Sequence, residues 1–349
     1  MSGTMTKKLL IIGSNTIHIY NYINLIEDYF DEILLLTNKI NDSSNVNTIE
    51  IDFRLGFNML SSVGKIKKIV AEYNPSLVHI HQANSYAFIS TMALKNYNVP
   101  KIITAWGSDI LINPKKSFIL KEMLKFSLKN VDIATSDSLF MASEMKSYSK
   151  YLDIEIVNFG IDIEDTMLEK ENIIYSNRLH KSLYNIEKII YSFNEFSKSN
   201  TNWKLVIGAI GDDTDKLKSI VTKLELEDKV EFIGWVDSKI NNQMYQKAKI
   251  YISIPSSDAT AISLLEAISS NCICFVSNLP ANCEHILDGI NGFIEPNLDK
   301  INLEKYKLID NDILNKVNDI RSNSYLKSTN KEIFLNIYNE LINKKENKR

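Results

Sequence analysis

Short apolar runs alternate with longer stretches of helical spacing along this chain, and they do so in two successive halves. In the first half KKLLIIGS, EILLLTN, SLVHIHQ, KIITAWG and VDIATSD read as buried strands. Between them, residues 17–30, 64–73, 87–96, 118–129 and 139–148 carry apolar side chains at helical spacing, with Pro75 ending the second of these helices and 154–158 closing the half. The second half repeats the alternation. IIYSNR, WKLVIGAIG, VEFIGW and KIYISIP are expected strands, with helices over 186–198, 214–224 and 240–247. SDATAISLLEAISSNCICFVSNLP (257–280) then reads as a polar loop, a helix, a strand and a second polar loop. Ile262, Leu265 and Ile268 fall on one helix face, and Thr260 is the expected cap. GFIEP and a helix over 330–341, ending in the charged run KKENKR, complete the chain. Such alternation predicts parallel, doubly wound sheets. The polar stretch NFGIDIEDTMLEKEN suits a boundary between the halves.

Composition adds bounds rather than identity. The 349 residues leave room for two α/β domains, and 44% hydrophobic with 24% charged residues is ordinary for a soluble globular chain. A net charge of −3 offers no global field for nucleic acid, so none is expected as a partner. Three cysteines make no disulfide framework; Cys272 and Cys274 lie on or beside a predicted buried strand, and no metal site is expected. Neither a signal peptide nor an apolar run of membrane-spanning length is present, which predicts a cytoplasmic protein. Lys121, Lys125 and Lys129 form a basic stripe on one predicted helix, either a solvated face or a peripheral contact with anionic lipid on the inner face of the cell membrane.

Several positions could carry chemistry. Asp258 and Glu266 stand eight residues apart around a helix start, where free N–H groups of Ala261, Ile262 and Ser263 suit an anion such as a nucleotide phosphate. Ionised carboxylates there suit sugar and ribose hydroxyls, because they only accept. Asp258 can alternatively cap the helix. His81 follows a strand end, where ligands bind in open α/β sheets, yet a packed histidine is the plainer account. His79, on the same side and deeper, is expected in the core. In TAWGSDIL, Trp106 can stack on a sugar face, and Asp109 either caps its loop or meets an acceptor hydroxyl. Arg178 offers two parallel donors to a diphosphate, with Lys181 the nearest further cation. Gly13 permits close backbone approach, and His18 is either an acceptor contact or a surface histidine. GDDTD (211–215) is read as a helix start capped by Asp213 or Thr214 rather than a Mg²⁺ site.

Residues 251–293, with SLLEA and the SNLP loop, resemble the E-x7-E region of retaining glycosyltransferases of family 4, which have the GT-B fold; the likeness extends over most of 7–300. It implies two Rossmann-like domains facing a cleft: an acceptor-side domain over 1–162, a nucleotide-sugar domain over 163–325, and a last helix over 326–349 returning to the first domain. By the resemblance Asp258 holds the donor sugar, Glu266 the ribose, Arg178 the diphosphate, and His81 faces the sugar. FGIDIED, 159–165, is similar to the family's NGVD segment. The chain departs from the family pattern at four places. The first acid is Asp, one methylene shorter; the family's phosphate Lys falls at Leu183 or Tyr184; the His of HGSD is Trp106; and the first loop has one glycine. The implied activity is metal-independent, retaining transfer from a nucleoside-diphosphate sugar to a glycan or lipid-linked acceptor in surface polysaccharide or glycoconjugate synthesis, with no cofactor beyond the donor. Two alternatives are an inactive glycosyltransferase-like partner protein, which the departures favour, and a sugar-nucleotide epimerase, which SLLEA disfavours.

Overall fold

A computed structural model of the protein describes residues 6–41, 44–163 and 168–346. It divides into two compact units, Met1–Gly160 with Lys327–Arg349, and Ile161–Leu326.

The first unit is built on seven parallel strands: β1 (Lys8–Ile12), β2 (Glu32–Thr37), β3 (Asn47–Glu50), β4 (Leu77–His81), β5 (Lys101–Thr104), β6 (Ile133–Ser136) and β7 (Asp153–Ile156). Their order is β3-β2-β1-β4-β5-β6-β7, so the winding reverses between β1 and β4. Continuous apolar runs such as LLII fit strands covered on both faces. Leu9, Ile11, Leu35 and Ile102 form the core with Tyr22 and Ile23 of helix Ile17–Ile26. The last helix, Lys327–Glu346, returns to this unit and buries Phe334 and Tyr338 in the same core. The Tyr338 hydroxyl meets Tyr22 and His79 Nδ1, and His79 Nε2 lies 2.6 Å from Thr104 Oγ1. His79 is therefore a fully partnered core residue. Burying one such aromatic side chain stabilises the fold by about 2–3 kcal/mol.

The second unit has six parallel strands: β8 (Glu171–Ser176), β9 (Lys204–Gly208), β10 (Val230–Gly234), β11 (Ala248–Ser253), β12 (Ile273–Ser277) and β13 (Gly292–Glu295). The order β10-β9-β8-β11-β12-β13 reverses between β8 and β11. Two apolar layers cover this sheet, one including Phe193, Trp203 and Phe275, the other Tyr245, Leu265 and Ile268. Ligands in open parallel sheets collect at the carboxyl ends of the strands beside such a reversal. Each unit presents one such place.

Several local expectations change. β3 is a short, mostly exposed edge with too little apolar signal to read. The helix expected from residue 64 begins at Met59, since Gly64 sits inside it with open space around its Cα. Helix Asn311–Tyr325 was not expected. Thr260 does not cap helix Ile262–Ser269. Ala261 is the cap residue, with no side-chain bond, and Thr260 Oγ1 lies 3.2 Å from His285 Nε2 instead. Asp213 stands at the cap of helix Thr214–Lys223 without a side-chain bond, while the Thr214 hydroxyl accepts from Gly211 N at 2.9 Å. Of the NGVD-like segment, Glu164 and Asp165 lie outside the described residues, as does the end of the charged tail, 347–349.

Candidate functional site

In the second unit the loops after β8 and β11 flank the reversal. Asn177 and Arg178 follow β8 directly, and Asp258 follows β11, just before helix Ile262–Ser269. Arg178 Nη2 donates to Asp258 Oδ2 at 2.6 Å, and Arg178 Nη1 donates to Ser263 Oγ at 3.1 Å. The pair is mostly enclosed, with side-chain exposures of 11% and 24%. The Tyr184 ring lies 4.6 Å from the guanidinium carbon, a cation–π contact. The chain thus places an aromatic face where the resemblance called for a lysine. Burial works against the Arg178 charge, but the Asp258 carboxylate and the Tyr251 and Tyr184 hydroxyls outweigh it and hold the guanidinium above its ordinary pKa. Asp258 Oδ1 also accepts from its neighbour Ala259 N at 3.1 Å.

Glu266 lies one turn further along the helix. Its Oε2 accepts from Asn241 Nδ2 at 3.2 Å. Asn241 Oδ1 in turn accepts from the Tyr175 hydroxyl at 2.7 Å and from Asn177 Nδ2 at 2.8 Å. With its carbonyl so occupied, the amide can turn only its NH₂ toward Glu266. The Tyr251 hydroxyl, pushed up to about 12 by burial although Arg178 pulls it down, donates to Ser263 Oγ at 2.8 Å. Tyr175, Asn177, Asn241 and Tyr251 were not singled out from the sequence. Only Asn177, next to Arg178, carried any signal there.

Lys181 goes elsewhere. It is exposed and lines a cavity of about 330 Å³ with Asp213, Lys216 and Asp299, residues that do not include Arg178 or Asp258. The structure therefore does not join it to the arginine as a second phosphate donor.

The corresponding edge of the first unit is of another kind. His81, the last residue of β4, is fully buried and stacks on His79 at 4.4 Å, with the Tyr22 ring 4.5 Å away. Among the described residues neither of its ring nitrogens has a hydrogen-bond partner, and burial pushes its pKa down to about 3. Ser14 Oγ, Thr16 Oγ1, Gln82 Oε1 and Trp106 Nε1 are also buried and unpartnered. All follow the ends of β1, β4 and β5, which are neighbours in the sheet. Gln82 has φ of 71°, an uncommon conformation for this residue type that continues past His81. Buried polar atoms without partners are rare in native folds, so this grouping marks a place where a polar ligand would supply the missing bonds.

Gly13 sits beside this group. A Cβ there would lie 2.6 Å from Ile19 Cδ1 and 3.2 Å from His81 Cβ, so the glycine is needed for packing. Trp106 meets the exposed His18 edge-on, ring centroids 5.6 Å apart, and His81 at 6.2 Å. Of the two readings of Asp109, the structure has the loop cap. It is buried, and its oxygens accept from Ala83 N at 2.6 Å and Trp106 N at 3.1 Å. Burial raises its pKa against these amides, and the carboxylate ties the loop after β4 to the loop after β5. Among the described residues, no helix is long and apolar enough to cross a membrane.

Two family models match the chain, one on each half. Glycosyl transferases group 1 covers residues 162–326, and Glycosyl transferase 4-like covers residues 8–138. The alpha-monoglucosyldiacylglycerol synthase of Streptococcus pneumoniae is 20% identical over 241 residues, 59% of this chain and 52% of that protein, so the match spans about half of the relative's length. Among solved structures, Anabaena HepE in complex with UDP and glucose superposes with a TM-score of 0.77 at 12% identity, covering 96% of this chain and 100% of that one. Sucrose-phosphate synthase from Thermosynechococcus elongatus gives 0.79 at 12% identity, with 96% and 99% covered. The chain belongs with the glycosyltransferases of GT-B fold.

Proposed function

We propose that this chain is a retaining glycosyltransferase of family 4 that moves a sugar from a nucleoside-diphosphate sugar to a glycan or lipid-linked acceptor, without a metal. The observation that carries the reading is the meeting of Arg178, Asp258, Ser263 and Glu266 beside one sheet reversal. Departure of a nucleoside diphosphate builds negative charge, and donors fixed in advance stabilise it without reorganisation. Arg178 and the N–H groups at Ala261, Ile262 and Ser263 are those donors; a helix leaves its first N–H groups without intrahelical partners. Glu266, aimed by Asn241, accepts from the ribose hydroxyls. Asp258 accepts from the sugar once Arg178 turns to phosphate.

His81 is assigned to the sugar-transfer step. As a neutral imidazole it can donate from one nitrogen and accept at the other, and neither is occupied. Retention follows the family pattern: the acceptor attacks the face from which the diphosphate departs, and the leaving phosphate takes the acceptor's proton. A double displacement would instead need a carboxylate placed to attack the sugar, and the role assigned to Asp258 is to accept from sugar hydroxyls. The named relative makes a glycolipid and the Anabaena structure holds UDP and glucose, which supports a UDP-sugar donor and a glycan or lipid acceptor.

The test is a panel of nucleotide sugars read by donor hydrolysis and thermal shift, with and without EDTA. One donor should raise the melting temperature and be hydrolysed slowly in both conditions. No shift with any donor, or hydrolysis that EDTA abolishes and Mg²⁺ restores, would overturn the reading.

A further inference from the structure

Charge is concentrated in one part of the first unit. Residues 53–130 contain eleven Lys and Arg against three Asp and Glu, a balance of +8 in a chain whose net charge is −3. One of those acids, Asp109, and one of the bases, Lys101, are buried, which leaves the balance of the remainder at +8. The same stretch supplies an apolar groove of about 630 Å³ on the outer helical layer, where Met59–Tyr73, Ser85–Leu94 and Phe118–Lys129 come together. Its walls include Leu60, Phe88, Phe118 and Ile119, and two lysines, Lys67 and Lys95, stand among them. Leu60, Phe118 and Ile119 are 69%, 76% and 69% exposed, and Phe57, just ahead of the first helix, is fully exposed. Singly exposed apolar residues are ordinary, but several large ones around one groove mark an interaction surface.

The basic stripe at Lys121, Lys125 and Lys129 is not this surface. Groove residues on that helix are Phe118, Ile119, Glu122, Met123 and Phe126, about a quarter turn away from the lysines. Lys125 is moreover paired with Glu122 at 2.7 Å. Lys65, Lys67 and Lys95 are exposed, and lie on the helices that form the groove or beside it.

We propose that this groove is a docking surface for an anionic lipid bilayer, on which the first unit rests with Leu60, Phe118 and Ile119 in the interface and Lys67 and Lys95 at the headgroups. Aromatic and aliphatic tips ringed by lysine suit that boundary, where one side of the contact is apolar and the other negatively charged. A soluble polyanion would satisfy the charge and leave the apolar tips in water. The groove lining includes none of Arg178, Glu266 and His81, so the inference stands whatever sugar is transferred.

The experiment is co-sedimentation of the full chain with phosphatidylcholine vesicles, pure or containing about one-third phosphatidylglycerol. The protein should sediment with the anionic vesicles, lose most binding at high salt, and bind pure phosphatidylcholine at least tenfold more weakly. The double variants Phe118→Ser with Ile119→Ser, and Lys67→Glu with Lys95→Glu, should each lower partitioning about tenfold or more, with unchanged circular dichroism and melting temperature. Equal binding to both vesicle types, or both variants binding as the parent does, would overturn the proposal. Binding to dextran sulfate that the lysine variant loses and the serine variant keeps, without vesicle binding, would overturn it in favour of an acidic polymer.

Discussion

The two sheet reversals are matched in topology and differ in how far their polar groups are hydrogen-bonded. Beside β8 and β11, most of the polar groups bond one another: Arg178 to Asp258 and Ser263, and Asn241 to Glu266, Tyr175 and Asn177, with the Ser176 hydroxyl at the end of β8 an exception among the described residues. Beside β1 and β4, Ser14, Thr16, His81, Gln82 and Trp106 each leave at least one buried polar atom unpartnered. A self-bonded edge can be stable alone and must exchange partners when ligand arrives. An edge of unpartnered groups gains bonds on binding and gives none up. A charged diphosphate can displace the carboxylate on Arg178, because it can accept two parallel bonds where Asp258 takes one. A neutral sugar hydroxyl cannot easily displace an ion pair, and the unpartnered edge suits it better.

Substitutions can break this contrast, and their expected effects differ in size. Arg178→Ala should have the largest, lowering kcat/KM on the order of 10³-fold, the usual loss when a donor to developing charge is removed. Donor-hydrolysis kinetics would check it, and a change below fivefold would remove Arg178 from the phosphate. Asp258→Asn should lower the transfer rate by about 10²-fold, since it loses charge-assisted bonds to the sugar. Affinity for the free nucleoside diphosphate should be kept or improved, because Arg178 no longer has to leave a carboxylate. If Asp258 only caps Ala259, the asparagine variant will transfer at nearly the parent rate.

The unpartnered edge gives a stability prediction. The folded-state pKa of His81, about 3, lies below its unfolded value near 6.5, so the unfolded chain binds more protons between them. Its contribution is present in full above pH 6.5 and is lost as pH falls toward 3. His79, lowered by burial and by the His81 charge, acts in the same direction, as does His285, lowered by burial to about 4. Urea denaturation of the parent and of His81→Gln from pH 7 to 4 should therefore show a shallower decline in the variant, the difference reaching a few kcal/mol. Parallel curves would show that His81 is not held neutral. Smallest of all, Asn241→Leu should weaken nucleotide binding by about threefold to tenfold, leaving the Glu266 carboxylate in place but without the Asn241 donor. A 2′-deoxynucleotide should show no such loss, and equal losses for both ligands would point to general disruption of the helix.

Much of the fold was legible because buried parallel strands are short apolar runs with helical spacing between them. Helices Leu139–Tyr148 and Phe118–Lys129 have the expected bounds. What escaped was weakly patterned: the exposed edge strand Asn47–Glu50 and the polar helix Asn311–Tyr325. At the candidate site, Arg178, Asp258, Ser263 and Glu266 were each readable from spacing and resemblance. Their mutual bonding was not, because a contact between positions 178 and 258 leaves no local trace. Asn241 was invisible for the same reason, lying on a helix that reads as an ordinary amphipathic one. Lys181 was named on sequence proximity to Arg178, and the backbone carries it to another cavity.

Isothermal titration of a nucleoside diphosphate, UDP first, into the parent, Glu266→Ala and His81→Ala tests the contrast most directly. The account predicts that Glu266→Ala binds at least tenfold more weakly with an unchanged melting temperature of the free protein, while His81→Ala binds as the parent does and loses sugar transfer. Unchanged affinity in Glu266→Ala, or an equal loss in His81→Ala, would contradict it.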